Sequence, residues 1–150
     1  MNTKMYWVMA MLVILTLVAA GCVKSNPHPA EMTVNVTCDE FMAQNHISKE
    51  IEVPPNGQLV VTLCSNPSTG FQWSETAQID DQTILKQIAH ELVSPEDKGD
   101  KTPAPGTPGD ETWTFKATGK GTTQVSMEYS RLWEDGEKGE WTFVLTVVVK

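Results

Sequence analysis

Two hydroxyls, those of Ser68 and Thr69, lie in the most informative stretch of this chain, Asn66-Pro67-Ser68-Thr69-Gly70-Phe71-Gln72-Trp73. Each hydroxyl can donate or accept a hydrogen bond. Pro67 fixes φ and has no N–H to offer. Asn66 is pushed toward extended conformations by the proline that follows it, and Gly70 permits φ > 0 where the chain must turn sharply. Such a loop is stiff before it meets anything, so little ordering entropy remains to be lost on docking. A tight turn joining two strands is the plainer account of the same residues. Elsewhere, no nucleophile–base pair and no pair of carboxylates can be read. Cys64 stands beside the turn, but no histidine is close to it in sequence. His28, His46 and His90 are scattered without ligand spacing. The expectation is a chain with no catalytic residue, no metal site and no cofactor, and so not an enzyme.

The chain has 150 residues and a formal net charge of −8, from 11 basic and 19 acidic side chains. It has no basic patch, which makes nucleic acid a poor partner. Lys4 precedes Met5 to Ala20, which is continuously apolar apart from Thr16. That run is short for a membrane span, which needs about 20 residues. It ends in Ala19-Ala20-Gly21-Cys22, which resembles a lipoprotein signal-peptidase site in which the cysteine becomes lipidated. The residues are read as a lipoprotein signal peptide (1–21), a lipid-anchored polar tether (22–31) and one domain (32–150). A plain secretory signal or an uncleaved helix is the alternative. This reading implies export and lipid anchoring through Cys22 to the cell envelope, facing the periplasm or exterior. The membrane would then be a partner through the anchor. Without Lys4 the balance becomes 10 basic against 19 acidic residues. Export also permits a disulfide between the two remaining cysteines, Cys38 and Cys64. Each is expected at the end of a strand, and the two strands could be neighbours. Two buried free thiols are the alternative.

The elements that would carry the loop are strands. Met32, Val34 and Val36 alternate with polar residues, and Ile47, Ile51 and Val53 do so less regularly. Pro54-Pro55-Asn56-Gly57 is a turn cluster. Leu59 to Cys64 is a short apolar run, as of a strand buried on both sides. Phe71 to Glu75 begins the next strand. Ile84 to Val93 has the composition of either a helix or a strand. Ser94 to Asp110 is a long loop dense in Pro, Gly, Asp and Lys, and unstructured loops of that length are functional or disordered. Three alternating runs follow: Trp113–Ala117, Val125–Tyr129 and Trp141–Val149. About seven short strands with turns between them favour an all-β antiparallel sandwich. Trp73, Trp113 and Trp141 fall in strand patterns and are expected in the core, Trp73 against the disulfide. Trp133 alone is expected to be exposed.

Three segments together resemble the chagasin family of protein inhibitors of papain-like cysteine proteases. The 66–70 turn is similar to the family's Asn-Pro-Thr-Thr-Gly loop. Gly106-Thr107-Pro108-Gly109 and the Trp113-Thr114-Phe115-Lys116-Ala117 that follows resemble its glycine-rich loop and next strand. Tyr129-Ser130-Arg131-Leu132-Trp133 resembles its Tyr-x-Arg-Pro-Trp segment. The resemblance covers roughly Met32 to the C-terminus and implies an immunoglobulin-like sandwich, with Ile84 to Val93 as a strand. It implies a reversible, non-covalent inhibitor, monomeric, whose loops at 66–70, 94–110 and 131–140 gather at one end and occlude the protease cleft. Ser68 and Thr69 would lie at the enzyme's catalytic centre. Asn66, Pro67, Gly70 and Phe71 would shape or flank that loop. Gly106, Thr107, Pro108 and Gly109 would form the second contact, their glycines allowing close approach. Arg131, Leu132 and Trp133 would form the third. Ser68 stands where the family has threonine and Leu132 where it has proline, which restores an N–H and loosens the third loop. The alternatives are a non-inhibitory immunoglobulin-like binding module of a surface lipoprotein, which Leu132 keeps open, and a structural envelope lipoprotein.

Overall fold

The computed structural model describes residues 29–95, 99 and 102–150. The expected signal peptide and Cys22 lie outside the described residues. Among the described residues, nine strands form two facing sheets: β1 (Glu31–Val36), β2 (His46–Val53), β3 (Gln58–Ser65), β4 (Phe71–Trp73), β5 (Gln78–Ile79), β6 (Leu85–Val93), β7 (Gly109–Ala117), β8 (Gly121–Arg131) and β9 (Trp141–Val149). Seven of these have six or more residues, and β4 and β5 are short. One sheet has the order β1-β3-β7-β6. The other has the order β2-β9-β8-β4, with β5 also paired to β8. This is the all-β, immunoglobulin-like sandwich that the alternating pattern and the resemblance both imply. Two edge pairings are parallel, β1 with β3 and β2 with β9; the rest are antiparallel.

Alternation along the strands builds the core. Leu59, Val61 and Leu63, with Trp113, Phe115 and Ala117 on the neighbouring strand, face Val125, Met127, Phe143, Leu145, Val147 and Val149 of the other sheet in one continuous apolar cluster. Each such side chain contributes about 1.5–3 kcal/mol by leaving water. Within Ile84 to Val93, a strand runs from Leu85 to Val93. Its apolar residues Ile88 and Leu92 stay exposed on the edge strand β6, where a helix would have needed to bury a stripe. Leu59 to Cys64 is buried on one face rather than both, since Val60 and Thr62 are half-buried on the outer side of the sheet.

The sequence reading missed a helix. Cys38 begins α1 (Cys38–Ala43) instead of ending a strand. Thr37 accepts the Glu40 N–H at 3.3 Å, and the Glu40 carboxylate accepts the Thr37 N–H at 2.8 Å, a reciprocal cap that satisfies donors at the helix start. That backbone bond, with Lys49 beside it, holds the Glu40 carboxyl below its ordinary value. Phe41 anchors the helix, fully buried and stacked on Trp141 at 5.0 Å. The disulfide Cys38–Cys64 ties the helix to the end of β3.

Candidate functional site

Strand direction decides which loops meet. β1, β3, β6 and β8 end, and β2, β4, β7 and β9 begin, at one edge of the sandwich. The connections 66–70 and 132–140, and the described ends of the connection between β6 and β7, therefore share that edge. An aromatic floor lies beneath them. Tyr129 stacks on Trp141 at 4.9 Å and on Phe71 at 5.4 Å, and meets Trp73 at 5.0 Å.

The first loop folds on itself. Pro67–Thr69 is one turn of 3₁₀ helix, closed by Gly70 in the left-handed region at φ 82°. The N–H groups of Thr69 and Gly70 donate to the carbonyls of Asn66 and Pro67 at 3.1 and 2.9 Å. Ser68 Oγ donates to Asn66 Oδ1 at 2.6 Å, and Thr69 Oγ1 donates to the Asn66 carbonyl at 2.7 Å. Both hydroxyl protons are thus spent inside the loop. Toward a partner, the two oxygens can act only as acceptors.

Asn66 is the joint between loops. Its N–H donates to the Tyr129 hydroxyl at 2.8 Å, and its Nδ2 donates to the Gly106 carbonyl at 2.7 Å. Gly106, at φ 85°, is the exposed turn of the second loop. That loop is closed by Thr107, which donates its N–H and hydroxyl to the Ala104 carbonyl at 3.0 and 2.6 Å. Pro108 is exposed. Gly109 has a different part from the one expected. It is buried at the start of β7, and a Cβ there would lie 2.4 Å from the Val93 carbonyl. The close approach it permits is between β6 and β7 within the protein.

The third loop leans on the first. Trp133 lies over Gly70, where an added Cβ would meet its ring at 2.6 Å. The Arg131 guanidinium sits 4.3 Å from the Phe71 ring centre and 5.6 Å from that of Trp133. Each such contact is worth about 0.5–1 kcal/mol or more as desolvation increases. Phe71 itself is buried, so it supports the site from below. Leu132 and Trp133 are 67% and 54% exposed, which places the large apolar surface of this loop outward, as expected for Trp133. With Leu132 in the proline position, the loop is held by other bonds. Arg131 N–H donates to the Glu137 carbonyl at 2.7 Å, and Gly139 N–H to Ser130 Oγ at 2.8 Å. Lys138 Nζ reaches the Arg131 and Trp133 carbonyls.

Trp73 and Trp113 are in the core, whereas Trp141 is half-buried at its margin. Trp73 does reach the bridge region, donating Nε1–H to the Cys64 carbonyl at 2.9 Å. Sequence reasoning also missed a buried polar array beside the first loop. Ser65 Oγ donates to Glu111 Oε1 at 2.7 Å, and His90 Nε2 lies 3.1 Å from Glu111 Oε2 while its ring meets Trp113 in a tilted contact at 4.9 Å. These residues sit on three strands, and no local spacing signals them. Among the described residues, no cluster of His, Cys, Asp or Glu could hold a metal ion.

A family model described as "Chagasin family peptidase inhibitor I42" matches residues 52–147. Among solved structures, the chain is similar to the cysteine protease inhibitor EhICP2 from Entamoeba histolytica. The TM-score is 0.58 and the identity 22%, over 82% of this chain and 100% of that one. It is also similar to PbICP-C, solved in complex with falcipain-2, with a TM-score of 0.57 and 13% identity over 81% and 99% of the two chains. At these identities the structural likeness speaks for the fold alone. No curated protein matches the sequence.

Proposed function

The chain belongs to the chagasin family of peptidase inhibitors, and from that premise we propose that it inhibits papain-like cysteine proteases reversibly by occluding the cleft with three loops. The observation that carries this reading is the closure of the three loops on one another through Asn66, Gly70 and Trp133. The 66–70 turn enters the middle of the cleft, and Gly106–Pro108 and Arg131–Trp133 grip the two rims. No bond is made or broken. Cleavage needs an extended peptide laid across the enzyme. This loop is instead a 3₁₀ turn whose Thr69 and Gly70 amides and two hydroxyl protons are already engaged. The Ser68 and Thr69 oxygens accept hydrogen bonds from donors of the catalytic centre. A pre-closed loop loses little entropy on docking, so an interface of about 1,600 Å² can be tight.

Trp133 supplies the main rim contact. Trp133→Ala weakens inhibition by about 2 kcal/mol or more, roughly 30-fold, and leaves the melting temperature nearly unchanged. Inhibition constant and melting curve are measured on the same preparation. A large fall in melting temperature assigns Trp133 to the core instead and removes the third contact.

The protein would be exported and held to the cell envelope through a lipid on Cys22. The support is Ala19-Ala20-Gly21-Cys22 at the end of the apolar run. Cys22→Ser then releases the protein from membranes or leaves its leader uncleaved. Normal processing and unchanged membrane fractionation of that variant would rule the anchor out.

A further inference from the structure

We infer that α1 is a fourth binding element of the inhibitory edge, and that the groove between it and the first loop receives an apolar side chain from the rim of the protease. The inference rests on the inhibitor reading above. None of the three loop motifs includes this helix, and the family match begins after it, at residue 52.

Topology puts α1 with the loops. β1 runs parallel to β3 and so ends at the same edge, and β2 runs parallel to β9 and begins there, His46 opposite Thr142. The connection between β1 and β2 must therefore lie beside the other three. The Cys38–Cys64 disulfide fixes its start two residues before Asn66. Within the helix, Phe41 turns inward and is fully buried, while its neighbour Met42 is 68% exposed. The fold needs Phe41 at this helix, but it has no use for an exposed methionine. Methionine is flexible and polarizable, which suits a contact that must adapt to an apolar partner.

Between helix and loop lies a groove of about 530 Å³. Met42 and the disulfide form one wall, Asn66 and Thr69 the other, and Phe71, Tyr129 and Trp141 line it between them. Asn66 and Thr69 thus belong both to the groove and to the central loop, so the two surfaces are continuous. Glu140 and Arg131 also line the groove, and the Arg131 guanidinium lies over the Phe71 ring that forms part of its lining. The lining is mainly apolar and aromatic and continues into the central loop through Asn66 and Thr69, so the occupant with matching chemistry is an apolar side chain of the protease rim.

The test uses the full-length protein in detergent micelles and papain. Met42→Asp puts a charge at the groove wall without touching the core. It is expected to weaken inhibition by about tenfold or more at unchanged melting temperature. A photoreactive phenylalanine analogue at position 42 is expected to cross-link to papain. The same analogue at Lys120, exposed in the turn at the far end, is expected to give no adduct. If the parent inhibits but Met42→Asp inhibits equally well, or if position 42 gives no adduct, α1 is only a structural strap and the inference is overturned. If the parent inhibits no papain-like protease, the inhibitor reading fails and the fourth contact with it.

Discussion

Trp73→Ala lowers the stability of the fold by about 3–5 kcal/mol. Trp73 is 2% exposed. It meets Phe41 at 5.2 Å, Tyr129 at 5.0 Å and Trp113 edge-on at 6.4 Å. No one of these partners can fill the space, because each is fixed from another side: Phe41 by α1, Tyr129 by its bond from Asn66, Trp113 by its bond to the Glu75 carbonyl. The substitution also removes the donor to the buried Cys64 carbonyl, which costs about 1–3 kcal/mol when left unsatisfied. Urea unfolding of parent and variant reads the loss directly. A midpoint within the error of the parent would mean that the aromatic cluster repacks, and that the floor under the loops is softer than described. The contrast with Trp133→Ala is the informative part: the same residue change affects folding at one position and binding at the other.

Removing the disulfide with Cys38→Ala and Cys64→Ala costs about 3–4 kcal/mol on the chain-entropy account, for a sequence separation of 26. The local consequence is specific. A six-residue helix is too short to persist in isolation. Without the bridge, α1 keeps Phe41, its cap and the Lys49–Glu40 pair at 3.1 Å. Because Cys64 lies near the end of β3, two residues before Asn66, the first loop is expected to lose order along with the helix, and inhibition to weaken alongside stability. Mass spectrometry of the unreduced, alkylated protein checks the bridge. Unfolding with and without reductant checks its weight. Two alkylatable thiols, or identical midpoints, would refute this account.

Much of the fold was legible because its signals are local. Period-two alternation in Trp113–Ala117, Val125–Tyr129 and Trp141–Val149 marks strands with one buried face, and those strands are present. The turn at 66–70 was legible because proline and glycine restrict the backbone wherever they occur. Segments whose conformation depends on distant partners were harder to read. Cys38–Ala43 is too short for a periodic signal and is stabilised by a capping box, a distant disulfide and an aromatic stack. Gly109 looked like a glycine for a partner, yet it serves the packing of β6 on β7. The Arg131 guanidinium lies over the Phe71 ring and near that of Trp133, a pairing between the first and third loops that no local spacing signals. The Ser65–Glu111–His90 array brings together residues from three strands, and only the register shows it.

Titration of papain with the purified protein tests the central claim most directly, with residual activity followed before and after dilution and the inhibitor's mass checked afterwards. The account predicts inhibition with one-to-one stoichiometry, return of activity on dilution, an uncleaved inhibitor and no effect on serine or aspartic proteases. Full papain activity at about micromolar concentrations of a folded protein, an affinity limit near −8 kcal/mol, repeated across several papain-like proteases, would contradict it. The loop edge would then belong to a binding module for some other surface.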